Sequence, residues 1–180
     1  EGGKIAPQLW HVGGMRKAGT PPEGDVDGYC PSGMNVPGKV NRHAMSTQDI
    51  QDVIEAFARG AAAAKDLGFD AVEIHGAHGY LLDQFFWAGT NVREDEYGGS
   101  LENRCRYPLE VFKAIRAVWP ESKPISARIS AHDWAPGGNT DADAVEIARM
   151  FQAAGADMID VSSGQTTRAA APLVEEDAAG

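Results

Sequence analysis

The segment HGAHGY at residues 75–80 concentrates the most chemically versatile side chains of this 180-residue sequence. It brings two imidazoles, His75 and His78, and one phenol, Tyr80, within six positions that also hold two glycines. Neutral imidazoles can donate hydrogen bonds to a carbonyl oxygen, and a phenol can deliver a proton. Because the glycines favour a loop or a broken first helical turn, we predict that these side chains project together from the end of a strand at about 70–75.

Two other interpretations of the histidine pair stay open. Backbone groups could satisfy both rings in an interior turn, in which case His75 and His78 would be structural. A His-x-x-His spacing can also chelate a metal ion, as in a metal-dependent barrel hydrolase. Since no nearby Asp or Cys completes a facial ligand set, we predict no metal site and keep the hydrolase as an alternative function.

Two further polar side chains stand in segments that have the pattern of strands. Gln8, in QLWHVGG, carries an amide that can donate to and accept from the edge of a heterocycle, or bond to a neighbouring strand. Arg128 lies within the apolar segment SARIS, where a buried cation needs an anion. That anion could be negative charge on a cofactor ring, or the carboxylate of Glu73 or Asp160 on an adjacent strand.

Helix and strand signals alternate along the chain. Ser46 and Asp49 form a capping-box pattern before apolar residues at helical spacing, and Gly68 supplies a stop. Ser100 is a candidate cap for the next helix, and Thr140 with Asp143 opens another. The resulting prediction places helices over roughly 46–68, 106–118 and from 140 onward, strands near 6–12, 70–75, 125–130 and 158–162, and a long Gly- and Pro-rich loop over 13–45.

Strands that alternate with helices predict a parallel α/β sheet. A doubly wound sheet would carry a G-x-G-x-x-G loop after its first strand, and the sequence has none there. Polar groups instead follow several strands, as in a (β/α)8 TIM barrel, which takes about 250 residues. We therefore predict one domain over 1–180: an incomplete TIM barrel with about four central strand–helix units, whose N-terminal and C-terminal strands lie outside this sequence.

Composition excludes several classes of partner. The net charge of −10 offers no basic surplus for nucleic acid. The sequence has no run of about 18 apolar residues and no secretory leader, so we expect a cytoplasmic protein that does not bind membranes. Cys30 and Cys105 fit reduced thiols. A small-molecule partner is expected, and a homo-oligomer or a fused domain is compatible with the sequence.

Several motifs together resemble one known family. HGAHGYLLDQF, followed by NVREDEYGGSLENRCRYPLEVF, is similar to the old yellow enzyme family of FMN-dependent ene-reductases and NADH:flavin oxidoreductases. QLWHVGG, SARIS and GADMIDVSSG have the order and spacing of that family, and the resemblance extends to about Pro172. The DW…GGNT and IDVSSGQTTR segments are most similar to the flavin-reductase-like half of bacterial aromatic acyl-CoA monooxygenases.

The resemblance implies an FMN-containing TIM barrel and assigns a role to each candidate residue. His75 and His78 would bind the carbonyl oxygen of the substrate, and Tyr80 would donate a proton to its alpha carbon. Gln8 would reach the pyrimidine edge of the flavin, and Arg128 would stabilise the anionic reduced ring.

The implied reaction passes hydride from NAD(P)H through FMN to the beta carbon of an α,β-unsaturated carbonyl or acyl-CoA compound. Two departures from the family matter here. Gly14 stands where the family often has Arg, and the loops that usually hold the flavin phosphate follow barrel strands outside this sequence. A non-catalytic barrel fragment therefore remains an alternative.

Overall fold

The computed structural model describes residues 2–19 and 26–163, and its main sheet is parallel with four strands. From one edge to the other the strands are formed by Gln8–Leu9, Val72–Gly76, Ile125–Ser130 and Met158–Ser162, so all four predicted strands are confirmed. Its first strand is only two residues long, shorter than predicted. In chain order the strands are β1 (Gln8–Leu9), β2 (Tyr29–Cys30), β3 (His43–Ala44), β4 (Val72–Gly76), β5 (Ile125–Ser130) and β6 (Met158–Ser162).

Four α-helices accompany the strands within the described residues, and none of them is both long and apolar enough to cross a bilayer. The predicted capping boxes are present at Ser46 with Asp49 and at Thr140 with Asp143, each made of reciprocal side-chain and backbone hydrogen bonds. The helices are α1 (Thr47–Asp66), α2 (Leu81–Phe86), α3 (Leu101–Val118) and α4 (Asp141–Ala153).

Helix α3 begins five residues before the predicted start. Ser100 caps it by accepting a hydrogen bond from the Asn103 amide. Arg104 ties the first turn to the preceding chain, since its guanidinium donates to the carbonyls of Phe86 and Gly99. This polar first turn is therefore held by specific hydrogen bonds and not by an apolar stripe, which is why hydrophobic periodicity misses it.

The two faces of the central strands differ in chemistry. Val72 and Ile74 of β4, with Ile125 and Ile129 of β5, lie in the hydrophobic core with α1 and α3. The alternate positions, which include Glu73, His75, Ser126, Arg128 and Ser130, point to the opposite, concave face. Parallel pairing aligns these positions across the sheet, so the polar residues form layers on one surface.

The described part of the 13–45 loop contains the short parallel pair β2–β3 and a 3-10 turn at Gly13–Met15, while residues 20–25 lie outside the described structure. Arg42 and Arg93 fasten this loop, since their guanidinium groups donate to the carbonyls of Gly14 and Pro31 at 2.6 and 2.8 Å. A Cβ on Gly14 would lie 2.9 Å from the Asn35 Cβ, so close packing explains why this chain has glycine here.

The sheet is open at β1 and β6, which each pair with one neighbour in the described residues. Large apolar side chains remain accessible near these edges: Trp10 is 51% exposed, Met158 57% and Val161 60%. A closed barrel would cover such positions with further strands and helices.

We expect Thr140→Ala to lower the free energy of unfolding by about 1 kcal/mol, because the Asp143 amide loses its side-chain acceptor at the start of α4. Urea denaturation followed by circular dichroism measures the change. Thr140→Ser keeps the hydroxyl and serves as the matched control. Equal destabilisation by Ala and Ser would contradict the capping role.

Candidate active site

His75 stands at the carboxyl end of β4 on the concave face. The strand extends through Gly76, one residue beyond its predicted end, and includes His75. Its side chain is 6% exposed, and its ring centroid lies 5.4 Å from that of His78 and 5.3 Å from that of Tyr80. The predicted cluster of two imidazoles and one phenol is thus present.

His78 and Gly79 form a tight left-handed turn that carries the cluster. Their φ angles are 62° and 77°, and the first is unusual for a residue with a side chain. The His78 amide donates to Ser130 Oγ at 3.1 Å, and the Gly79 amide donates to Asp83 Oδ2 at 2.8 Å. Ser130 Oγ in turn donates to Asp83 Oδ1 at 3.2 Å, so one buried carboxyl organises the whole turn.

Asp83 is a functional residue that sequence reasoning missed. It is 1% exposed, and burial together with the neighbouring Asp133 raises its pKa well above the usual range. A neutral or proton-sharing carboxyl can occupy this interior at low electrostatic cost. The signal in the sequence was weak, because every residue of the short helix α2 that carries Asp83 is buried.

Tyr80 is the N-cap residue of α2, and its phenol lies between His75 and Trp10. The rings of Trp10 and Tyr80 meet edge to face with centroids 4.9 Å apart. Trp10 therefore forms an exposed aromatic wall of the site, which the sequence analysis did not single out. Its spacing of two from Gln8 was the available signal, because side chains two apart on a strand share a face.

Arg128 projects from β5 into the same region, where its guanidinium lies 3.1 Å from Asp160 Oδ2 and donates to Ser162 Oγ at 3.0 Å. Of the two carboxylates considered as partners, the structure thus selects Asp160. Arg128 Nε and His75 Nδ1 are buried and have no hydrogen-bond partner among the described residues. Unpaired buried nitrogens cost about 1–3 kcal/mol each, so this surface is suited to a bound group that carries acceptors and donors.

Gln8 lies one layer below the cluster, toward the amino ends of the strands. Its register partner is Glu73, and its Nε2 donates to Glu73 Oε1 at 2.7 Å. Ser126 Oγ donates to the other Glu73 oxygen at 2.8 Å. The structure therefore places Gln8 on the same concave face as His75 and Arg128, and it also shows the alternative bond to a neighbouring strand.

The pKa values of both histidines in the cluster are lowered, which favours their neutral forms at pH 7. Burial, followed by the proximity of His78 and Arg128, lowers the pKa of His75 to about 4. Burial and Arg128 also lower the pKa of His78 below its ordinary value. A neutral imidazole has one N–H donor and one acceptor nitrogen, which suits it to hold an oxygen without adding a charge.

The residues described, 2–19 and 26–163, contain no group of three or more His, Cys, Asp or Glu side chains placed to hold a metal ion.

Comparison with known proteins identifies relatives over nearly the whole chain. The family model described as NADH:flavin oxidoreductase / NADH oxidase matches residues 1–178. The NADPH dehydrogenase of Halalkalibacterium halodurans is 43% identical over 174 residues, which are 96% of this chain and 48% of that protein. The NADPH dehydrogenase of Geobacillus sp. is 45% identical over 166 residues, 91% of this chain and 46% of that protein. The chain spans about half the length of these curated relatives.

Solved structures show the same relationship in three dimensions. Morphinone reductase in complex with tetrahydroNAD has a TM-score of 0.76 and 33% identity over 89% of this chain and 49% of that one. A 2-naphthoyl-CoA reductase bound to 2-naphthoyl-CoA has a TM-score of 0.72 and 34% identity, covering 77% and 22% of the two chains. An old yellow enzyme homologue from Zymomonas mobilis has a TM-score of 0.75 and 27% identity over 92% and 49%.

These neighbours confirm the predicted fold, since they are TIM barrels and the four parallel strands superpose on part of them. The family uses FMN, with NAD(P)H as the reductant. The family model matches residues 1–178, and a curated relative is 43% identical over 96% of this chain. The chain belongs to the NADH:flavin oxidoreductase / NADH oxidase family, and its sheet is part of an old yellow enzyme barrel.

Proposed function

We propose that the protein to which this chain belongs uses FMN and NAD(P)H to reduce the activated C=C bond of an α,β-unsaturated carbonyl or acyl-CoA compound. The observation that carries the proposal is the convergence of His75, His78, Tyr80 and Arg128 on one concave surface. Bound FMN would supply the hydride-transfer chemistry, while the protein would position the substrate and stabilise charge.

Arg128 and Gln8 are the residues of this chain that would hold the cofactor. Asp160 binds one terminal nitrogen of Arg128, and the buried Nε has no partner among the described residues. A guanidinium with unused donor capacity favours a ring system that gains negative charge on reduction. The Gln8 amide, fixed by Glu73, supplies a neutral group at the next layer of the same face.

His75 and His78 would hold the substrate oxygen. The pair is neutral and half-enclosed, and its rings lie close enough to converge on one acceptor. Donors arranged before the reaction stabilise the negative charge that develops on a carbonyl oxygen, and removal of one such donor costs about 3–4 kcal/mol. Tyr80 stands beside His75 and would return a proton to the adjacent carbon.

The substrate class is supported by likeness only. A similar solved structure is a 2-naphthoyl-CoA reductase with its CoA thioester bound, which favours thioesters among carbonyl compounds. We also propose a small-molecule partner, because that neighbour is a complex with a small molecule, and a cytoplasmic location. A non-catalytic fragment is the second candidate, because β1 and β6 are open and expose apolar side chains such as Val161.

The first test measures whether the purified chain binds FMN, by quenching of flavin fluorescence, and whether NAD(P)H bleaches the bound flavin bands. We expect Arg128→Gln to weaken binding about 10- to 100-fold, because a charge-assisted hydrogen bond is lost. Arg149→Gln removes an exposed cation from α4 and is the matched control. A chain that ignores added FMN would favour the fragment candidate, and equal effects of the two variants would contradict the role of Arg128.

Tyr80→Phe is expected to slow the reduction of the alkene about 10²- to 10⁴-fold, because the phenolic proton donor is removed. Reduction of the flavin by NAD(P)H should stay nearly unchanged, since no proton from Tyr80 is needed in that step. Stopped-flow absorbance separates the two half-reactions. Tyr97→Phe, which alters a phenol bonded to Glu110, is the control. A parallel fall of both half-reactions would show that Tyr80 is not the proton donor.

The His75 ring is expected to titrate at about pH 4 in the folded chain, because burial disfavours its cation. In the unfolded chain it should titrate near 6.5, its ordinary value. Between these two pKa values the unfolded state binds more protons than the folded state. The contribution of His75 to the free energy of unfolding therefore falls as the pH drops from about 6.5 to about 4. NMR titration with and without urea measures both values. A folded-state pKa near 6.5 would contradict this assignment.

A further inference from the structure

The hydroxyl of Ser162 connects the two sides of the site. It accepts a hydrogen bond from the guanidinium of Arg128 at 3.0 Å, and its Oγ lies 2.7 Å from Nε2 of His78. Ser162 is the last residue of β6, and its carbonyl accepts a hydrogen bond from the Ala131 amide at 2.7 Å. Its position is therefore fixed by the sheet and does not depend on the two side chains that it bridges.

The donors and acceptors available around Ser162 Oγ indicate the direction of its two hydrogen bonds. Guanidinium nitrogens can only donate, so Ser162 Oγ is the acceptor from Arg128, and its own O–H remains to be donated. A cation that binds the oxygen polarises the O–H bond and makes it a stronger donor and a weaker second acceptor. His78 Nε2 lies 2.7 Å from the Ser162 oxygen and can accept this hydroxyl proton when the nitrogen carries no proton of its own.

This direction fixes which nitrogen of His78 carries the proton. Burial and Arg128 lower the pKa of His78 and so favour the neutral ring, in which only one of the two nitrogens is protonated. When Nε2 accepts from a hydroxyl, the proton must be on Nδ1. Without such a partner a histidine ring is free to take either form.

We propose that Ser162 is a positioning residue, whose hydroxyl relays the hydrogen bond of Arg128 to His78, holds that ring in the Nδ1–H tautomer and leaves Nδ1–H as the donor to the substrate oxygen. The last part of this inference rests on the proposed function, which makes His78 a carbonyl-binding residue. The tautomer itself is a property of the ligand-free chain. The same hydroxyl contacts both Arg128, on the cofactor side, and His78, on the substrate side. Displacement of either side chain would therefore change the hydrogen bond of the other.

The tautomer is measured by ¹⁵N–¹H correlation spectra of the chain labelled at its five histidines, at neutral pH and without cofactor. Loss of one set of signals in His78→Gln assigns the ring. The side chains introduced by Ser162→Thr and Ser162→Val have nearly the same shape, but only the threonine carries a hydroxyl. Ser162→Ala is a second variant without the hydroxyl. Ser163→Ala changes the exposed neighbour and is the matched control. Circular dichroism checks that each variant is folded.

We expect Nδ1 of His78 to be protonated in the wild-type chain, in Ser162→Thr and in Ser163→Ala. In Ser162→Val or Ser162→Ala the ring should shift toward the Nε2–H form. Protonation of Nε2 in the wild-type chain would overturn the proposal, and so would an Nδ1–H signal that persists in a folded variant without the hydroxyl. Because no flavin is present, failure of the proposed oxidoreductase activity would leave these spectra unchanged and is distinguished from failure of the tautomer assignment.

Discussion

The site depends on the register between β4 and β5. Pairing of Ile74 with Ala127 and of His75 with Arg128 lets apolar residues face the helices while polar residues face the concave side. A slip of one residue would turn every side chain of a strand to the opposite face, placing His75 in the apolar core. Burial of Val72, Ile74 and Ile129 against the helices disfavours that slip, so the same hydrophobic energy that folds the sheet also places the reactive groups.

Charge is distributed sparingly over this surface. Arg128 is paired with Asp160, and burial, followed by the neighbouring positive charge, lowers the pKa of both imidazoles and favours their neutral forms. Asp83 binds the turn at residues 78–79 from the interior, where burial and the neighbouring Asp133 raise its pKa and favour its protonated form. The surface can therefore receive negative charge from a bound group without first losing an internal ion pair, which is the condition for stabilising an anionic ring or an enolate.

Local signals in the sequence predicted a large part of this arrangement. The capping boxes at Ser46 and Thr140 each involve two residues that are three positions apart in the sequence. The cluster of His75, His78 and Tyr80 comes from one six-residue segment. Both patterns can therefore be recognised without knowledge of the fold. Helix α2 was missed because its residues are buried on all sides and show no periodicity. The partner of Arg128 could not be chosen either, since Glu73 and Asp160 lie on different neighbouring strands and only the register and side-chain direction separate them.

The candidate site is largely self-supporting within the described strands. Several polar side chains of the concave face bind a group from an adjacent element: Gln8 binds Glu73, Ser130 binds Asp83, and Ser162 binds Arg128 and His78. Exposed apolar groups lie at the sheet edge around Val161 and at the rim of the site, where Trp10 is 51% exposed. Further barrel elements would therefore bury hydrophobic surface and close the site, whereas the hydrogen bonds that orient His78 and Arg128 already arise from β5, β6 and the turn that follows β4.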